Sequence, residues 1–280
     1  MLAYWYEKQT NNVRWGNKFS ADSGVRQGGV TSPDLFNCYI NELIEELSGT
    51  PVGLRLGDRF VNNLSYADDM VLLSPSIKGM RKLLSICERY AQRHQLVYNA
   101  KKTEMLIFRS GRGPSYVPDV YIGGQPVKIV NTFKYLGHIL SSDRKDNHDI
   151  ERQRRCLSVC GNMLARRFFK ASKDTKIHLF RTFCQTFYTC QLWTECTRRS
   201  LDGIRVQYNN IFRHLMGFKR YCSASSMFLE ARLNTFCAIR RSRIANFLTR
   251  VEGCRNSIIA ALASRLHQTK MYWDWLQIAA

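Results

Sequence analysis

The chain has 280 residues, 45% of them hydrophobic, enough to fill a core and to exclude a globally disordered protein. Its 42 Lys and Arg against 22 Asp and Glu give a formal charge of +20, an excess that points to a polyanionic partner. No run of 18 apolar residues marks a membrane helix and the opening residues, Met1 to Lys8, lack a signal-peptide layout. The expectation is an intracellular protein with no membrane partner, its ten cysteines reduced and mostly core thiols rather than zinc ligands.

In chain order, Leu2, Trp5, Tyr6 and Gln9 fall at helical spacing and predict a helix end over residues 1–14, followed by a polar stretch from Trp15 to Ser23. Gly24-Val25-Arg26-Gln27-Gly28-Gly29-Val30 is a glycine-rich loop. A helix follows, capped by Ser32, with Pro33 in its first turn and Gly49 as its stop. Its buried stripe is Leu35, Phe36, Tyr39, Ile40, Leu43, Ile44 and Leu47. Leu54 to Leu56 and Phe60 to Ser65 read as short strands around Gly57-Asp58. Tyr66-Ala67-Asp68-Asp69 then forms a hairpin turn, and Met70 to Leu73 the return strand. Two adjacent carboxylates repel each other, and a divalent cation with a preference for hard oxygen ligands offsets that repulsion. On these four residues alone, a solvated Asp-Asp turn remains the alternative.

Ser76 opens a second helix with Ile77, Met80, Leu83, Leu84, Cys87, Tyr90 and Ala91 on one face. Leu96 to Tyr98 predicts a strand, Asn99 to Lys102 a turn, and Met105 to Phe108 a further strand. Val120 to Ile122 and Val127 to Val130 flank Gly123-Gly124 in a hairpin pattern, and Phe133-Lys134-Tyr135-Leu136-Gly137 leads into another short strand. Beyond residue 143 strand patterns cease and helical ones take over. Residues 1–143 carry 17 basic and 13 acidic side chains, net +4; residues 144–280 carry 25 and 9, net +16. A boundary near Ser141-Ser142-Asp143 therefore separates residues 1–142 from a basic helical region, 143–280, suited to gripping a nucleic-acid backbone. Trp193, Trp273 and Trp275 are either stacking platforms or, the plainer reading, packed aromatics.

The order of these segments resembles the reverse transcriptases of non-LTR (LINE-type) retrotransposons. The matching stretches are Gly24-Val25-Arg26-Gln27-Gly28-Gly29 with Ser32-Pro33 and Phe36-Asn37, then Tyr66-Ala67-Asp68-Asp69, then Asn99 with Lys102-Thr103, then Phe133-Lys134-Tyr135-Leu136-Gly137. The resemblance implies an α+β fold: a partial polymerase palm, an antiparallel sheet with packed helices, followed by an all-helical thumb-like region. It implies an RNA-directed DNA polymerase acting on an RNA template, a DNA primer and dNTPs with Mg²⁺ or Mn²⁺. Asp68 maps to the metal ligand of the hairpin, with Asp69 shaping the field and coordinating less directly; two-metal chemistry clamps the attacking 3′-hydroxyl and the leaving pyrophosphate. Gln27 is similar to the residue that contacts the incoming nucleotide or its template base. Gly28 and Gly29 allow close backbone approach. Arg26 is either a phosphate contact or a solvated turn residue. Lys102 is either a stabiliser of the leaving group or a solvated turn lysine. Phe133, Tyr135, Leu136 and Gly137 look like the segment that holds the primer end.

The family's third catalytic carboxylate comes from a strand upstream of the glycine-rich loop. Before Gly24 this chain has only Glu7 and Asp22, neither in a candidate strand. The expectation is a domain truncated at its N-terminus, without its first catalytic Asp or its full fingers, and with little or no polymerase activity alone. The rival expectations are a non-catalytic or domesticated nucleic-acid-binding protein, which would bind through its basic half, and an inert remnant.

Overall fold

The computed structural model describes residues 10–12, 18–20, 28–109 and 116–279. The described chain is α+β and divides into two compact units. The first contains the described residues up to Tyr98, together with Val120–Gly124. β1 (Thr10–Asn12) pairs antiparallel with β2 (Lys18–Ser20). Of the helix predicted over 1–14, the described residues Thr10–Asn12 are strand instead, Thr and two Asn being poor helix formers; its other residues lie outside the described ones.

α1 (Ser32–Ser48) carries Pro33 in its first turn and ends at Gly49, whose N–H donates to Glu45 O at 2.9 Å. The predicted cap shifts by one residue. Thr31 holds the N-cap position without a side-chain cap bond, and Ser32 is the first helical residue, buried. Of the predicted stripe, Leu43 and Leu47 are fully buried while Tyr39 is exposed. β3 (Leu54–Leu56) and β4 (Arg59–Val61) form a hairpin through Gly57-Asp58. The strand predicted from Phe60 to Ser65 is interrupted by Asn62, so β5 (Asn63–Tyr66) and β6 (Asp69–Leu72) make a separate hairpin.

Asn62 is buried, and its Nδ2 donates to Leu47 O at 2.6 Å and Val52 O at 2.8 Å. It thereby satisfies a carbonyl that the end of α1 leaves without an intrahelical partner. α2 (Ile77–Arg93) is capped as predicted, Ser76 Oγ accepting from Gly79 N–H at 3.1 Å. Leu43, Leu47, Leu83, Ile86, Cys87 and Tyr90 form the core of this unit, with Leu96 and Tyr98 packed against it. The strand expected at Leu96–Tyr98 alternates as a strand does, with Val97 exposed between two core contacts, but joins no ladder among the described residues.

The second unit contains the described residues of Asn99–Asp119 and Gln125–Ala280. β7 (Glu104–Leu106) lies in it. β8 (Tyr121–Ile122), in the stretch assigned to the first unit, and β9 (Gln125–Pro126) flank Gly123-Gly124, both at positive φ. β10 (Lys128–Val130), expected as the return strand of that hairpin, pairs instead in parallel with β7. β11 (Thr132–Tyr135) and β12 (His138–Ser141) form an antiparallel hairpin. The described strands pair two by two, so the antiparallel sheet expected beside the helices is not one continuous ladder.

Beyond Ser141 every described regular element is helical: α3 (Asn147–Arg167), α4 (Lys173–Cys184), a 3-10 turn at Cys190–Leu192, α5 (Arg198–Met216), α6 (Ala224–Glu230), α7 (Phe236–Glu252), α8 (Ser257–Leu266) and α9 (Lys270–Ala279). Phe180, Phe187, Trp193, Tyr208, Phe212 and Phe228 are buried in one core. α3 and α5 cross at Gly161, where a Cβ would lie 2.3 Å from Ile211 Cγ2. Trp275 closes a smaller cluster with Ile244 and Leu248. Of the three tryptophans considered above, Trp193 and Trp275 are core residues and Trp273 is exposed. The described cysteines are free thiols, and burial pushes the Cys87 and Cys190 thiols up to about 11.

Candidate functional site

The carboxylate pair sits on the β5–β6 hairpin. Ladder partners run from Asn63 opposite Leu72 to Tyr66 opposite Asp69, which leaves Ala67 and Asp68 as a two-residue turn. Asp69 is therefore the first residue of the return strand rather than part of the turn. Ala67 adopts φ +51°, a conformation that a residue with a Cβ seldom takes, in a turn where glycine is the usual occupant. Asp68, Asp69 and Tyr66 are all exposed. Neither carboxylate makes an ion pair or side-chain hydrogen bond with another described residue. Among the described residues no group of three His, Cys, Asp or Glu side chains converges to hold a metal ion. The pair supplies hard oxygen donors of the type Mg²⁺ prefers, and that ion is commonly held by one or two carboxylates plus water and substrate phosphates. The donor chemistry of Asp68 and Asp69 fits such an ion.

Gly28 is at φ +79°, with open space where a Cβ would stand, and Gly29 O accepts from Ser32 N–H at 3.3 Å. Arg26 and Gln27 lie outside the described residues. Lys102 is exposed in the second unit, on the turn that Asn99 organises: Asn99 O accepts from the N–H groups of Lys102 and Thr103, both at 3.0 Å, and Asn99 Oδ1 accepts from Lys102 N–H at 3.2 Å.

The β11–β12 hairpin presents Phe133, Tyr135, Leu136 and Gly137. Phe133 and Tyr135 lie on one face, their rings near-parallel with centroids 6.3 Å apart. Tyr135 pairs with His138, so Leu136 and Gly137 form the turn, at φ +44° and +83°. Beneath the hairpin lies a residue that sequence reasoning missed. Asp149, on α3, is fully buried; its carboxylate accepts from Ile139 N–H at 3.0 Å, Arg152 Nε at 2.8 Å and Trp193 Nε1 at 2.8 Å, and lies 3.2 Å from His138 Nδ1. Burial pushes this carboxyl up, but the hydrogen bonds from His138, Arg152, Trp193 and the Ile139 amide outweigh it and hold the group well below the usual carboxylate range. The available signal was a carboxylate in the buried stripe Asp149, Ile150, Gln153, Leu157, Gly161 and Leu164 of α3.

The model of the family described as reverse transcriptase (RNA-dependent DNA polymerase) matches residues 1–140, half of the chain. The chain belongs to the reverse transcriptase family. Its reverse transcriptase domain is that of a non-LTR retrotransposon. Two retrovirus-related Pol polyproteins from the type-1 retrotransposable element R2 of Popillia japonica are similar to it. One is 28% identical over 141 residues and the other 32% over 136, each alignment covering 46% of this chain and 20% or 22% of the relative. A Pol polyprotein from the type-2 element R2DM of Drosophila melanogaster is 33% identical over 75 residues, 26% of this chain and 7% of that protein. The chain thus spans about a fifth of the length of the first relatives it matches. Reverse transcriptases use divalent metal ions, and the family implies an RNA template and nucleic-acid substrates. No described helix is long and apolar enough to cross a membrane.

Proposed function

We propose that this chain serves RNA-directed DNA synthesis, residues 1–142 as part of the fingers and palm and residues 143–280 as a basic thumb-like region. The observation that carries the proposal is the exposed Asp68-Asp69, without an ion pair among the described residues, in the turn and at the first strand residue of a two-residue hairpin, inside the stretch that matches the family. Asp68 and Asp69 would hold Mg²⁺ or Mn²⁺, with Asp68 the principal ligand. When bound, the ion supplies electrostatic stabilisation of the attacking 3′-oxygen and of the leaving pyrophosphate.

The chain's own residues do the rest. Arg26, Gln27, Gly28 and Gly29 meet the incoming dNTP and its template base, the glycines leaving room for the backbone to approach. The Lys102 ammonium, on a turn fixed by Asn99, offsets charge that develops on the leaving group. Phe133, Tyr135, Leu136 and Gly137 hold the 3′ end of the DNA primer. The basic helices grip the sugar-phosphate backbone, where an exposed ring such as Phe169, with Lys176 Nζ 5.9 Å from its centroid, offers a stacking surface.

Primer extension on an RNA template, with Mg²⁺ and dNTPs, tests the reading. Incorporation that Asp68→Ala abolishes supports it and overturns the expectation of little or no activity in the chain alone; incorporation that survives Asp68→Ala overturns the reading itself. Where the chain incorporates nothing, Mn²⁺ binding followed by electron paramagnetic resonance decides. Bound Mn²⁺ that Asp68→Ala releases supports the metal role. Absence of Mn²⁺ binding, with nucleic-acid binding untouched by Asp68→Ala and Asp69→Ala, leaves the non-catalytic binding protein instead.

A further inference from the structure

The tip of the β11–β12 hairpin is held by a residue outside every motif of the sequence. Gly137 lies so close to Tyr188 that a Cβ there would sit 2.9 Å from Tyr188 Cε1. The Tyr188 hydroxyl donates to the carbonyl of Leu136, the other turn residue, at 2.9 Å. Tyr188 is fixed from both sides. Phe187 is buried, its ring edge-on to those of Tyr208 and Phe236. Thr189 is buried as well, its hydroxyl oxygen 2.9 Å from His138 Nδ1 and 3.2 Å from Asp149 Oδ2.

Phe187 and Thr189 both adopt left-handed φ, +30° and +65°, which bulky and β-branched residues avoid. Such strain persists only where the surroundings impose it, and it clusters at sites where geometry matters for function. Here it lets two buried neighbours present an exposed tyrosine to an exposed turn: Tyr188 is 54% and Leu136 40% accessible. Stability alone gains little from tying two solvent-facing groups together.

We infer that Tyr188 is a positioning residue for the primer terminus. Its ring covers Gly137 and its hydroxyl fixes the Leu136 carbonyl, so that the turn and the adjacent Phe133–Tyr135 face keep one geometry toward the 3′-terminal nucleotide. The inference rests on the reading of Phe133, Tyr135, Leu136 and Gly137 as the primer-end segment.

The test uses the full 280-residue chain and a DNA primer with 2-aminopurine at its 3′ terminus, annealed to an RNA template. Affinity for this recessed end is compared with affinity for a continuous duplex. Loss of one hydrogen bond in Tyr188→Phe should reduce the preference for the recessed end by about fivefold. The 2-aminopurine emission should move toward its unbound value, while affinity for the continuous duplex and the melting temperature stay those of the unsubstituted chain. Leu136→Asn, which tolerates the left-handed turn, probes the parent reading separately. A preference lost in Leu136→Asn but intact in Tyr188→Phe overturns the positioning role and leaves the primer-end reading standing. A preference intact in both variants overturns both. Equal weakening on the two nucleic acids in Tyr188→Phe, accompanied by a lower melting temperature, reduces Tyr188 to a packing residue and overturns the inference. Failure of the unsubstituted chain to bind either nucleic acid overturns the primer-end reading and the inference with it.

Discussion

Asp149 shows how one side chain can organise a region. A fully buried carboxylate is tolerable only when its lone pairs are taken up, and Ile139, Arg152 and Trp193 do so from a strand, a helix and the end of a 3-10 turn. Asp149→Ala removes the acceptor for all three and leaves Arg152 without its partner; unfolding by urea at pH 7 should show a loss of about 3 kcal/mol. The pH dependence has a defined sign. The native carboxyl is held below its ordinary value, so its stabilisation is fully present above the unfolded value of about 4 and is lost as pH falls further toward the native one. Asp146 works in the opposite sense: burial raises its carboxyl, so its contribution declines as pH rises from the unfolded value of about 4 toward the higher native one. Asp149→Asn should therefore flatten the acid-side decline of stability between about pH 4 and pH 2, read from urea midpoints at successive pH values. At the other hairpin, the φ of +51° at Ala67 predicts that Ala67→Gly raises stability by about 1 kcal/mol, measured in the same way.

At the level of elements, local signals succeeded where the partner was local. Ser76 caps α2 as its sequence predicts, because the acceptor and the Gly79 N–H are three residues apart. Gly57-Asp58 and the carboxylate hairpin were legible for the same reason: two-residue turns place both strands within a few residues. Long-range partners escaped. Val127 to Val130 carries a strand pattern, but nothing in that pattern says that Lys128–Val130 will choose Glu104–Leu106 as a parallel neighbour. Asn62 falls inside the strand predicted from Phe60 to Ser65, and only the fold shows it breaking that strand and its amide capping α1. The α3–α5 crossing offers a test. A Cβ at Gly161 would lie 2.3 Å from Ile211 Cγ2, so Gly161→Ala should destabilise by about 1–3 kcal/mol despite the better helix propensity of alanine. Combining it with Ile211→Ala should recover part of that loss in a double-mutant cycle by thermal or urea unfolding.

For the molecule as a whole, the formal charge of +20 is carried mainly by the helical half, net +16 over residues 144–280. Many of these cations are spent within the protein: Arg152 on Asp149, Arg154 and Arg155 on Glu151, Arg205 on Asp202. Arg198 also lies 3.9 Å from Asp202 yet stays almost wholly accessible. If six or more accessible cations meet phosphates, affinity for an RNA–DNA duplex should fall by about a thousandfold between 50 and 200 mM salt. Asp68→Ala should leave that salt slope unchanged, since it removes no cation. Fluorescence anisotropy across a salt series measures both.

Periodicity, turn residues and charge were enough to read the helical character beyond residue 143 and the carboxylate hairpin, because each depends on residues near one another in the chain or on their sum; the family, and the α+β class it implies, came from the resemblance that the ordered motifs carry. Folding was needed to reveal Asp149 beneath the β11–β12 hairpin and Tyr188 against its turn. Apart from Arg152, one turn along from Asp149 on the same helix, their partners lie about 10 to 52 positions away, and a hydrogen bond between residues so far apart leaves no period or spacing to detect. The register of the hairpin, which makes Asp68 a turn residue and Asp69 the first residue of a strand, likewise came from backbone pairing, which the four letters Tyr66 to Asp69 do not encode.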